Sequence, residues 1–234
     1  VALAWRWGIG ERNEFLLSGY HLDNRNGMNY GMPWIRPTAT SPVDETTLLP
    51  LDPATYYGLA SDRNAGQADR LTASHTHRFE GRGQLVTQVQ AGRYERDQRA
   101  GTVRLASVAG QVVTLADFGP STVINRGTAL KLQDLDTLFA QSDYNGKFMA
   151  LGLKHEVQAG IDMADEQKQV HAALNAAQGG VNLVKPATRV GAPSDGATID
   201  ESLRVLRVAS DYRSQGAGVY LQNLVSFSPG WKPA

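Results

Sequence analysis

Period-two stretches of apolar and polar residues recur along this chain, joined alternately by very short turns and by long polar connections. Short turns read at residues 8–13, 79–84, 148–153 and 228–233, and long connections at about 24–65, 98–127 and 169–201. Tight turns on one side and long loops on the other are how an antiparallel transmembrane β-barrel reads in sequence.

In the first segment Val1, Leu3, Trp5 and Trp7 share one face, and Ala2, Ala4 and Arg6 the other. Two tryptophans at the end of an apolar stripe suit a membrane-interface girdle, because the ring is apolar while its N–H seeks water. Strands are expected at 14–23, 70–79, 84–96, 128–148, 154–167 and 202–227. The sixth shows the clearest alternation: Val157, Ala159, Ile161 and Met163 against Glu156, Gln158, Gly160 and Asp162. In a wide barrel the first set faces lipid and the second a wet lumen. An alanine-containing piece at 170–178 reads as a short helix.

Composition narrows the functional classes. The 234 residues carry a formal net charge of zero and no cysteine, so no basic field argues for nucleic acid, and disulfides and thiol chemistry are excluded. No run of about 18 apolar residues occurs, so a transmembrane helix is not expected, whereas barrel strands of about 10 residues remain open. Seven strands do not close a bacterial barrel, whose count is even. The chain opens directly on a strand pattern and stops at a turn, so it reads as one arc of a larger barrel, 1–234, with the remaining strands elsewhere.

The ordered set of segments resembles the barrel of TonB-dependent siderophore receptors, especially the catecholate branch. The resembling stretches are 12–27 (RNEFLLSGYHLDNRNG), 30–34 (YGMPW), 56–58 (YYG), 73–79 (ASHTHRF), 92–99 (GRYERDQR), 141–148 (QSDYNGKF), 153–160 (LKHEVQAG), 195–196 (DG) and 218–222 (GVYLQ). The resemblance implies a 22-stranded barrel in the bacterial outer membrane, plugged by an N-terminal domain that these residues lack. It also implies a ferric siderophore as ligand, with iron as cargo and no resident cofactor, and energy from the TonB complex delivered through the plug.

Two groups are candidates for ligand contact. Arg93, Tyr94, Arg96 and Arg99 fall at the top of the fourth strand. Guanidinium groups supply charge and stack on rings, and tyrosine hydroxyls donate to catechol oxygens, which suits an anionic aromatic chelate. Tyr30, Trp34, Tyr56 and Tyr57 are large aromatics in a loop otherwise rich in Pro, Thr and Asp; they either pack that loop or face the ligand. His75 and His77 share a face, but without a third ligand an interfacial role is expected ahead of a metal site. Gly8-Ile-Gly10 lacks the third glycine of a dinucleotide fingerprint, and no Ser/His/Asp set is framed for catalysis. The competing architecture is a secreted all-β sandwich binding carbohydrate through its loop aromatics. It would seal the Val157/Ile161 face beneath a second sheet.

Overall fold

A computed structural model describes residues 1–81 and 83–227. The expected turn at 228–233 lies outside the described residues. The strands are β1 (Ala2–Trp7), β2 (Asn13–Asn26), β3 (Arg63–Arg78), β4 (Gln84–Leu105), β5 (Val123–Ala150), β6 (Leu153–Ala173), the two-residue β7 (Thr188–Arg189) and β8 (Leu206–Ser226). They form one antiparallel sheet in the order β1-β2-β3-β4-β5-β6-β8, with β7 added beside β5. The meander is open: β1 and β8 form its two edges.

Chemistry at the short turns fixes the register. Gly8 has φ +65°, and a Cβ there would fall 2.2 Å from the Asn13 carbonyl oxygen, so this β1–β2 turn requires glycine. The β5–β6 turn uses Leu151 at φ 53° and Gly152 at φ 74°. From these turns the ladders run without a register shift as far as β6–β8, where a bulge falls between Val170 and His171.

Unbroken register carries the alternation from strand to strand. Trp5 pairs with Leu17, Leu17 with Ala73, Ala73 with Val89, Val89 with Ala140, Ala140 with Met163, and Met163 with Ala217. That row is an apolar face. Its reverse carries Gln88, Gln90, Gln141, Asp143, Gln158 and Asp162. Ile161 is 55% exposed and Met163 62%, and among the described residues no second sheet covers them. A sandwich would bury both.

The apolar face ends, toward the short turns, in a belt of rings. Trp5 sits 5.1 Å from Trp7, Trp7 stacks on Phe15 at 5.2 Å, and Phe15 on His75 at 4.5 Å. The belt continues through His77 and Phe79 to Tyr144, and Phe148 stacks on His155 at 5.4 Å. His75 and His77 both share the Asn13 side-chain oxygen, at 3.0 and 2.7 Å. Rings with polar edges gathered at the rim of an apolar stripe are what an oil–water boundary selects.

At the other end the strands are longer than their alternation predicts. β4 continues to Leu105, β5 begins at Val123 and β6 continues to Ala173. The expected helix at 170–178 is therefore corrected to the end of β6 followed by a single 3-10 turn, Ala176–Gln178, capped by Asn175. The expected start of the last strand at 202 is instead a second such turn, Glu201–Leu203. The long connections shrink to 27–62, 106–122 and 174–205. They are folded against one another: Ile35, Leu49 and Val113 form one buried cluster and Tyr57, Ile124 and Val190 another, with Met32, Leu51, Leu105 and Phe118 packed against both.

Candidate functional site

Alternation divides the predicted binding residues before any ligand is considered. Arg93 and Arg99 lie in register with Asp136 and Leu130, on the face that carries Val89, whereas Tyr94 and Arg96 lie with Leu135 and Gln133, on the face that carries Gln88 and Gln90. Period two makes this obligatory for residues an odd number of positions apart. The four do not form one cluster. Arg93 Nε donates to Glu95 at 2.9 Å, and Arg99 to Asp97 at 2.8 Å and to the Glu201 carbonyl at 2.6 Å. Both arginines are neutralised where they stand.

The loop aromatics divide as well. Tyr57 is 2% exposed and donates its hydroxyl to the Val190 carbonyl at 2.7 Å, so it belongs to the loop core. Burial pushes its phenol up. Tyr56 donates to the Leu59 carbonyl at 2.8 Å, and burial, reinforced by the Asp62 carboxylate, raises its phenol to about 12. Trp34 is 68% exposed beside the Ile35–Thr47 bridge. Tyr30 reaches the polar face of β4, where its hydroxyl oxygen meets Gln98 Nε2.

Charge is sorted along the polar face. At its short-turn end every cation among the described residues has a carboxylate. Glu14 binds Arg6 and Arg78, the latter at 2.7 Å, and Glu156 binds Lys147 at 3.2 Å and Lys154 at 2.9 Å. Toward the loop end the register places Arg96, Arg104, Lys131, Lys168 and Arg207 on the same face. None of these has a carboxylate within 4.0 Å among the described residues, and Glu166 is the acid that shares their stretch. The reverse face at this height is acidic: Asp69, Glu95, Asp97, Asp134, Asp136, Asp165 and Asp211. That face also carries Arg63, Arg93, Arg99 and Arg213, each paired with one of these acids, so the positive wall on the polar side has no equally unpaired negative counterpart.

Aromatic rings stand among these cations. Tyr94, Leu135, Lys168 and Tyr212 follow one another across four adjacent strands. At about 4.8 Å per strand this row is about 14 Å wide. The Tyr94 ring lies over Gly92, where a Cβ would fall 2.8 Å from it. Lys131, Lys168 and Tyr212 were not singled out from sequence, although their parity was readable.

The loops are locked by buried ions. Asp62 accepts from the Leu59 N–H at 3.1 Å, the Gly101 N–H at 2.9 Å and Lys185 Nζ at 3.3 Å. Glu201 pairs with Lys185 at 3.7 Å and with Arg204. Arg126, with its side chain 0% exposed, donates to the Tyr57 carbonyl at 2.6 Å, the Pro186 carbonyl at 3.1 Å and Asp195 at 2.8 Å. The Arg126 guanidinium, joined by the Ala197 N–H, holds the Asp195 carboxyl below the usual carboxylate range.

A meander with one apolar face, one wet face and an aromatic rim defines an arc of a β-barrel. The crystal structure of the siderophore receptor PiuA from Acinetobacter baumannii is similar to it, with a TM-score of 0.72 and 15% sequence identity over 99% of this chain. The chain spans 33% of that receptor's length. No family model and no curated protein matches the sequence. At this identity the likeness is one of fold.

Proposed function

We propose that the chain is one arc of a 22-stranded outer-membrane receptor that takes up ferric siderophores of the catecholate type, energised by the TonB complex through a plug domain outside these residues. The observation that carries this reading is the uncompensated positive wall on the polar face, Arg96, Arg104, Lys131, Lys168 and Arg207, interleaved with Tyr94 and Tyr212. A ferric tris-catecholate is an anion with aromatic edges. It is drawn by such a field, stacks on rings and guanidinium planes, and accepts hydrogen bonds through its oxygens. Trp34 stands exposed where a ligand would first meet the loops. Lipid covers the apolar face, and the ring belt of Trp5, Trp7 and Phe15 lies at the periplasmic interface. Iron enters as cargo within the ligand. The carbohydrate-binding sandwich is disfavoured by the exposed Ile161 and Met163.

The test compares faces. In the full-length receptor, Arg96→Ala with Lys131→Ala and Lys168→Ala weakens ferric tris-catecholate binding by at least tenfold. Arg93→Ala with Arg99→Ala, on the opposite face, leaves it within about twofold, since alternation turns both guanidinium groups away from the polar side. Equal losses from both sets contradict the reading.

A further inference from the structure

We propose that Gln98 is a positioning residue: it turns the Tyr30 hydroxyl and the Arg96 guanidinium into two outward donors for the oxygens of one anionic ligand. This rests on the preceding reading of the polar face and adds the chemistry by which it selects. Gln98 is 0% exposed, while Arg96 is exposed and Tyr30 is 39% exposed, so a sealed amide holds two open heads.

The direction of the bonds follows from what each group can do. A guanidinium only donates, so the oxygen of the Gln98 amide must face Arg96, and Oε1 lies 2.5 Å from Arg96 Nη2. That fixes the other end of the amide: Nε2 faces Tyr30 and donates to its hydroxyl oxygen. A phenol oxygen that accepts from an amide directs its own proton elsewhere. No acceptor takes that proton among the described residues, and none takes the remaining Arg96 N–H groups. Lys131 lies directly across from Gln98 on β5 and adds charge without adding an acceptor. The site therefore presents donors and positive charge at Tyr30, Arg96 and Lys131, flanked by the neutral amides of Gln133 and Asn24. It fits phenolate or carboxylate oxygens and rejects an amine or a cation.

Glutamate at this position would reverse both effects. It would pair with Arg96 and cancel its charge, and it would turn the Tyr30 proton inward as an acceptor for it. Gln98→Glu keeps the size of the side chain, so it tests direction rather than packing. Affinity for ferric tris-catecholate is measured on the full-length receptor for the parent, Tyr30→Phe, Gln98→Glu and the double variant. Tyr30→Phe is expected to lose about tenfold, as for a hydrogen bond to a charged group. Gln98→Glu is expected to lose more than tenfold, and Tyr30→Phe on that background less than twofold further, because the proton is already withdrawn. A merely structural role for Gln98 would leave the two losses multiplying, and that result overturns the proposal. Tyr30→Phe removes one atom from an exposed ring and carries the test even if Gln98→Glu fails to assemble: unchanged affinity overturns the relay. A parent receptor that binds no ferric catecholate removes the ligand class and the relay together, whereas a parent that binds, with both variants equal to it, removes the relay alone.

Discussion

Lys185 Nζ lies 3.3 Å from Asp62 Oδ1, and the two side chains are 1% and 2% exposed. The pair joins the third long loop to the first at the top of the sheet. Removing one partner of a buried pair leaves an uncompensated charge at a cost of about 3–5 kcal/mol. Lys185→Met is therefore expected to release the loops without disturbing the ladder beneath. Limited proteolysis would show new cleavage within 174–205 and within 50–62, with β2 to β6 still protected. Unchanged protection of both loops would mean that the apolar clusters around Ile35 and Tyr57 hold them unaided.

The Arg126–Asp195 pair sets a pH window. Asp195 is held below its ordinary range in the folded loops, first by Arg126. A depressed carboxylate contributes stability that is fully present above its unfolded value, about 3.9, and is lost as pH falls toward the folded value. Amide exchange across 186–197 is expected to be flat from pH 8 to pH 5, once corrected for intrinsic rates, and to accelerate below about pH 4. Asp195→Asn should show the faster exchange above about pH 4, the difference closing as the parent carboxylate is protonated at lower pH. Acceleration between pH 7 and 6 would assign the control to another group.

Tryptophans report the two environments separately. Trp5 and Trp7 belong to the ring belt at the edge of the apolar face, whereas Trp34 is in the first long loop. In single-tryptophan versions of the full-length protein in bilayers, Trp5 and Trp7 are expected to be quenched by brominated lipid and shielded from aqueous iodide. Trp34 is expected to behave in the opposite way. Iodide quenching of Trp7 equal to that of Trp34 would remove the belt from the membrane interface.

Much of this architecture was written in alternation. Val157, Ile161 and Met163 stand apart from Gln158 and Asp162 at period two, and the structure keeps them on opposite faces. The Gly8 turn and the paired tryptophans were legible for the same reason: local sterics and an apolar boundary leave marks on consecutive residues. The strand tops were not legible. Between Gln98 and Leu105, and from Val123 to Thr128, loops pack against the sheet, so neither face is uniformly apolar and the alternation fades. That hid Arg126 and Gln98, two buried polar residues in what reads as loop. The division of Arg93 and Arg99 from Tyr94 and Arg96 was present in the sequence as parity, and grouping them by proximity along the chain obscured it. Long-range pairing, such as Tyr30 with Gln98 or Asp62 with Lys185, leaves no local mark at all.

On the proposed reading this sheet separates oil from water, face by face. The chain contains no cysteine, so single cysteines can be placed one at a time along β6 from residue 156 to 163 and spin-labelled in the full-length protein in bilayers. Collision rates with dissolved oxygen and with a water-soluble nickel chelate then report each environment. Labels at 157, 159, 161 and 163 are predicted to favour oxygen, and those at 156, 158, 160 and 162 the chelate or a buried aqueous site. Loss of that two-residue rhythm, or labels at 161 and 163 shielded from both reagents, would contradict the account.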